Sequence, residues 1–260
     1  MKKTPGIILS FVLIFLMFGV FVYFDRHHII DVWQRWMIER ELPEPVSGPE
    51  NISVNTNNNI NNNQVPVVVK IPDEINLAVP FTTQAPLVNW DEQHEESCEE
   101  AAALIVHYWW QKKTFTKKIA NDELQKIVDF EIQKYGDYKD TDSQETAQFI
   151  KDLWGYERVD VKYDITIEDI KKEVAQGRPV ILPTAGRELD NPNFSQPGPL
   201  YHMVVVRGYT KDKIITNDPG TRKGEEYVYN PDVLYNAIHD WNNGDIYNGK
   251  KAMVVVWPND

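Results

Sequence analysis

The chain's only cysteine, Cys98, stands in "NWDEQHEESCEEAAALIVHYWW", between two pairs of glutamates at the predicted first turn of a helix. Ser97 and Glu100 match the S-x-x-E capping pattern, which makes Ser97 the N-cap and Cys98 the first helical residue. A thiol there meets unpaired backbone N–H groups at the positive end of the helix dipole, which favours the thiolate that nucleophilic chemistry needs. Glu95, Glu96, Glu99 and Glu100 act in the opposite sense wherever their carboxylates face the sulfur. A helix terminus contributes only about 0.3–1 kcal/mol, so a nucleophilic Cys98 requires a histidine partner. The competing role is that of a small core residue, since Cys98 shares a helix face with Ala102 and Ile105 and cysteine is among the most often buried residue types.

Six histidines are available. His27 and His28 follow an apolar N-terminal run, His107 falls on the opposite face of the Cys98 helix, His94 requires a loop to fold back, and His239 has only the adjacent Asp240 to orient it. His202 is placed differently. It opens the predicted strand "HMVVVRGY", the turn "YTKD" follows, and the next strand, "KIITND", ends at Asp218. If Gly208 pairs near Lys213, His202 falls opposite residue 218 or 219, about 5 Å across the ladder, where an acid can orient an imidazole. A shift of one residue presents Asn217 instead, and an amide can also fix a histidine tautomer. Asp218 in "NDPG" is also a turn former in its own right.

The elements that must position these groups change in character along the chain. "INLAVPF" (75–81) predicts a short strand, and residues 97–111, 120–134, 143–153 and 166–177 predict helices, the last starting at Thr166 and stopping at Gly177. Strands follow at 179–183, 201–209, 213–218, 225–229 and 251–257, with "PDVLYNAIHDW" as a helix before the last. Helices segregated from a mostly antiparallel sheet predict an α+β fold. Between strands, "GRELDNPNFSQPGPLYH" is a long loop leading into His202, read as a lip or lid over the site or else a passive excursion. Trp90 and Trp154 near that cleft serve either the core or a ligand.

Outside this region the chain is simpler. Residues 6–24, "GIILSFVLIFLMFGVFVYF", form an uncharged apolar segment of about 19 residues, enough to cross a bilayer core of about 30 Å. The segment ends in "FVYFDRHH" rather than in small residues, so an uncleaved signal anchor is expected, with the bulk of the chain outside the cytoplasm. Ile29, Trp33, Trp36 and Met37 continue it at helical spacing, making residues 1–42 an anchor with a juxtamembrane helix. Residues 43–72 are expected to be an Asn- and Pro-rich linker, and 73–260 a single domain. The formal charge of −12 and the lack of a Lys/Arg-rich stripe argue against nucleic acid and anionic headgroups as partners. No second cysteine or histidine pair at ligand spacing accompanies Cys98, so neither metal nor cofactor is expected.

A cysteine at a helix start, with a histidine and an acid on neighbouring strands, is the layout of thiol catalysis. "VPFTTQ", "CEEAAALIVHYW", "GPLYHMVVVRGY" and "IITNDPG", with the spacing H-x15-D-P, resemble the bacteriocin-processing-peptidase-like domains over about residues 75–257. That resemblance implies a papain-like fold with a central helix packed on an antiparallel sheet, Cys98 as nucleophile, His202 as general base and Asp218 as orienting acid. It also implies a glutamine upstream of the cysteine whose amide completes the oxyanion hole. Gln93 is preferred for its proximity to Cys98, with Gln84 as the alternative. Two departures stand out: the family usually has Gly where this chain has Glu99, and no ATP-binding transporter region follows. The expected activity is anchored, extracytoplasmic cleavage of a peptide or amide bond in a peptide or protein substrate. An acyltransferase or a silent module binding peptide or cell-wall fragments is the alternative.

Overall fold

The computed structural model describes residues 41–48 and 71–259. The predicted anchor at 6–24, the juxtamembrane helix up to residue 40 and linker residues 49–70 lie outside the described residues. Among the described residues no helix is long and apolar enough to cross a membrane.

In chain order the elements are β1 (Ile75–Asn76), α1 (Glu92–Glu95), α2 (Cys98–Trp110), α3 (Lys117–Tyr135), α4 (Ser143–Trp154), β2 (Val159–Tyr163), α5 (Ile167–Ala175), β3 (Val180–Ala185), a 3-10 turn (Gly186–Leu189), β4 (Tyr201–Tyr209), β5 (Ile214–Asn217), β6 (Tyr227–Tyr229), α6 (Pro231–Ala237), a 3-10 turn (Ile246–Asn248) and β7 (Ala252–Val256). The strands form one antiparallel sheet in the order β2-β7-β3-β4-β5-β6, with β1 added to the end of β4. This is a mixed fold of helices and antiparallel sheet, consistent with the α+β expectation.

The centre of the domain is α2 against β4. In α2 every residue from Cys98 to Val106 is buried, and β4 is buried along its whole length. From Ala101 to Val106 the helix is apolar on all sides, which belongs inside a core, and the run Ala101-Ala102-Ala103 keeps α2 slim enough to lie close to the sheet. Fully buried Leu104, Ile105 and Phe149 each stabilise the fold by about 1.5–3 kcal/mol relative to exposure. β4 lacks polar–apolar alternation because it is an interior strand that contacts both α2 and α5.

Several expectations need correction. Ser97 occupies the N-cap of α2 but makes no side-chain cap bond; its hydroxyl donates to the Gln93 carbonyl at 2.6 Å, so the Ser97/Glu100 capping box does not form. Capping boxes do form at Asp142 and Thr166, before α4 and α5. Gly208 pairs with Ile215 rather than near Lys213, and an irregularity between Val206 and Gly208 shifts the β4–β5 register. Gly208 is required there because a Cβ would lie 2.5 Å from the Ile75 carbonyl oxygen of β1. Within the stretch read as linker, residues 43–48 carry bonds to the domain: Val46 N–H donates to Asn76 O at 2.7 Å, and Asn76 Nδ2 donates to Pro43 O at 3.1 Å.

Candidate active site

Cys98 opens α2, only 5 % exposed, at the floor of a cleft of about 430 Å³. His202, Gln84, Trp90, Gly220 and Trp241 line the same cleft. His202 enters from β4, its backbone carbonyl held by Thr184 Oγ1 of β3 at 2.8 Å. Its ring Nε2 donates to Asp218 Oδ1 at 2.8 Å. With Nε2 committed to the carboxylate, Nδ1 is the ring nitrogen left to take a proton from a group in the cleft.

Asp218 does not sit opposite His202 in the ladder. β5 ends at Asn217, and Asp218 lies just beyond it, at the turn into Pro219 and Gly220. Side chains alternate sides along an extended chain, and Asn217 accordingly bonds elsewhere: its Nδ2 donates to the carbonyls of Val79 and Pro80 at 3.1 and 3.0 Å. Asn217 is therefore not the partner of His202.

The Asp218 carboxylate is fully bonded. Oδ1 accepts from His202 Nε2 and from Gly220 N–H at 2.9 Å, while Oδ2 accepts from Asn191 Nδ2 at 3.0 Å and Tyr229 OH at 2.6 Å. Burial acts to raise its pKa, but His202, Tyr229 and the Gly220 N–H outweigh that and hold it below the usual carboxylate value. Asn191 and Tyr229 were not anticipated from the sequence. Asn191 lies in the β3–β4 loop, and Tyr229 is the last residue of β6. The loop read as a lip contributes Phe194, Ser195, Gly198, Pro199 and Leu200 to the cleft wall, and the Phe194 ring meets the imidazole edge-on at 5.3 Å. Gly220 touches the ring from another side: a Cβ there would stand 2.8 Å from His202 Cε1 and 2.9 Å from Phe194 Cε1.

The two upstream glutamines part company. Gln93, on α1, donates to Gln125 Oε1 at 2.9 Å on the exposed side of the molecule and does not line the cleft. Gln84 does line it. Its backbone N–H bonds the Pro219 carbonyl at 3.0 Å, tying it to the Asp218 turn, and its Nε2 donates to the His94 and Glu95 carbonyls, both at 2.9 Å. The preference for Gln93 followed distance along the chain. The link to Pro219, from far along the sequence, is what puts Gln84 at the site instead.

The other histidines among the described residues have separate partners. His107 stacks on Trp154 at 4.2 Å and pairs with Tyr156 OH, and burial pushes its pKa down to about 4. His94 bonds Asp91, and His239 bonds the Gly249 carbonyl.

In this arrangement the Cys98 thiol donates to Glu99 Oε2 at 2.8 Å. Burial, then the charges of Glu99 and Glu100, push the thiol well above its ordinary pKa. Glu99 is itself buried, and burial pushes its carboxyl up to about 8. An acidic neighbour thus contacts the sulfur directly, the case in which glutamates oppose the helix terminus.

A family model described as Peptidase_C39 like family matches residues 76–244. The chain belongs to that family. A solved structure described as a candidate C39-like peptidase from Bacillus anthracis is similar at 16% identity and a TM-score of 0.49, covering 73% of this chain and 100% of that one. No curated protein matches the sequence.

Proposed function

We propose that this Peptidase_C39-like domain is a cysteine hydrolase that cleaves a peptide or amide bond through an acyl-thioester on Cys98. The observation that carries the reading is the His202–Asp218 pair, 2.8 Å apart and facing the cleft that contains the only thiol. The helix on the sheet, with cysteine at the helix start and histidine and acid on the strand side, is the papain-like layout.

In the reaction, Cys98 Sγ–H gives its proton to His202 Nδ1, and the thiolate attacks the carbonyl carbon. The oxyanion that forms takes the Cys98 backbone N–H, unpaired at a helix start, and the Gln84 amide once its Nε2 leaves one of the two carbonyls it now bonds. Collapse breaks the C–N bond as His202 Nδ1–H protonates the leaving amine. Water, deprotonated by His202, then attacks the thioester and frees the acid and Cys98. Asp218 holds the imidazole in the required tautomer throughout. The segment 6–24 would anchor the domain outside the cytoplasm, in reach of peptide or protein substrates. An amine replacing water in the second step gives acyl transfer from the same residues.

Intact-mass spectrometry of the protein incubated with peptide substrates tests this. A substrate-derived adduct mapping to Cys98, absent in Cys98→Ala, is expected, and product masses with and without added amine separate hydrolysis from transfer. The thiol's bond to Glu99 favours a second reading, a silent binding module. Peptide binding by Cys98→Ala equal to wild type, with no cleavage by either, would establish that reading.

A further inference from the structure

Glu99 is the residue in the site that the hydrolase reading does not use. Its carboxyl is held from both sides: Oε1 accepts the Thr141 backbone N–H at 3.1 Å, and Oε2 contacts Cys98 Sγ at 2.8 Å. A backbone N–H can only donate, so Oε1 is fixed as the acceptor oxygen and a proton carried by Glu99 resides on Oε2. That oxygen is the one against the sulfur.

Resting on the proposed hydrolase chemistry, we propose that Glu99 is a catalytic proton-holding partner of Cys98, whose neutral carboxyl donates an Oε2–H bond to the thiolate and whose ionised form blocks thiolate formation. The proton count balances. With Glu99 neutral, the Sγ proton passes to His202 Nδ1 and the Glu99 proton turns to the sulfur, leaving a thiolate and an imidazolium beside the Asp218 carboxylate. With Glu99 ionised, the same transfer leaves a carboxylate and a thiolate in contact, and the thiol instead keeps its proton in a bond to the carboxylate.

The surroundings keep the carboxyl neutral. Glu99 is 1 % exposed. Facing it are Cys98 and Glu100 on α2, Glu131 on α3, Asp140 in the α3–α4 loop and Tyr201 on β4, all acidic or neutral. The nearby cation of the loop, Lys139, is engaged with Glu92 at 2.6 Å. Burial, with Asp140 adding to it, raises Glu99 to about 8, so it holds its proton at neutral pH and loses it in mild alkali.

The test is the rate of Cys98 alkylation by iodoacetamide across pH in the full chain, for wild type, Glu99→Gln and Glu99→Ala. Wild-type reactivity is expected to fall with a midpoint near 8 before the thiol itself titrates. Glu99→Gln, whose amide still donates but cannot ionise, should keep neutral-pH reactivity within about threefold and lose that fall. Glu99→Ala, lacking a hydrogen bond to a charged group, should react about 10–100-fold more slowly at neutral pH. A Glu99→Gln profile that superimposes on wild type, or a Glu99→Ala protein as reactive as wild type, overturns the proposal. Infrared difference spectra, wild type minus Glu99→Gln, read the carboxyl directly: a protonated-carboxyl band at neutral pH that shifts in Cys98→Ser is expected, and its absence overturns the proposal. That band does not depend on whether His202→Ala changes catalysis, so loss of the hydrolase reading remains distinguishable.

Discussion

At the scale of residues, the site depends on one carboxylate with four donors. Asp218 is buried and bonded by His202 Nε2, the Gly220 N–H, Asn191 and Tyr229, so on the proposed mechanism losing one of the last three is expected to loosen His202. Tyr229→Phe is expected to lower kcat about tenfold, with KM nearly unchanged; an equal change in KM would mean that Tyr229 serves binding instead. Gly220→Ala should do more, since the added methyl must displace His202 or Phe194. A loss of at least tenfold in kcat/KM is expected, and full activity would show that the ring is free to move. The placement of Cys98 at a helix start, of His202 on one strand and of Asp218 at the end of the next was legible in the sequence because helix starts and strand ends carry local signals. Asn191, Tyr229 and the choice of Gln84 were not, because each depends on which distant segments meet. The β4–β5 turn geometry was illegible too: Gly208 pairs with Ile215, two residues beyond Lys213, and that offset is why pairing arithmetic misplaced Asp218 relative to His202.

At the scale of elements, the α2–α3 contact holds a second buried acidic pair. Among the described residues no donor reaches either oxygen of Glu100 or Oε2 of Glu131. Carboxylates only accept, so the two satisfy each other only when a proton is shared. Burial, then the charges of Glu131 and Glu99, push Glu100 well above its ordinary pKa; burial lifts Glu131 to about 8. The folded state therefore retains protons that the unfolded chain releases above 4.5, and stability is expected to fall as pH rises from there through about 8. Glu131→Gln should flatten that decline in Tm, and matching slopes for the two proteins would refute the account. Sequence periodicity found the long helices because their apolar faces repeat. It made no assignment for β2, an edge strand in which Asp160 and Lys162 interrupt the apolar run, or for α1, a single polar turn.

At the scale of the whole molecule, charge and cleft agree in sign. The chain carries a formal −12, and Glu95, Glu96 and Asp140 line the cleft with no lysine or arginine among its described lining residues. Glu96 and Asp140 each raise with burial, and Asp140 adds its charge to Glu96. Such a cleft concentrates cationic ligands. For peptides bearing lysine or arginine, kcat/KM is expected to fall about 3–10-fold from low to high salt; a salt-independent rate would remove electrostatics from substrate choice. The central claim, however, is that a buried thiol on α2 and an imidazole on β4, lining one cleft, act as one unit. The most direct measurement is the rate at which iodoacetamide alkylates Cys98 at neutral pH in wild type and in His202→Ala. Wild type is expected to react faster than a free thiol, with most of that advantage lost in the variant. Equal rates in the two proteins, at or below that of a free thiol, would contradict it.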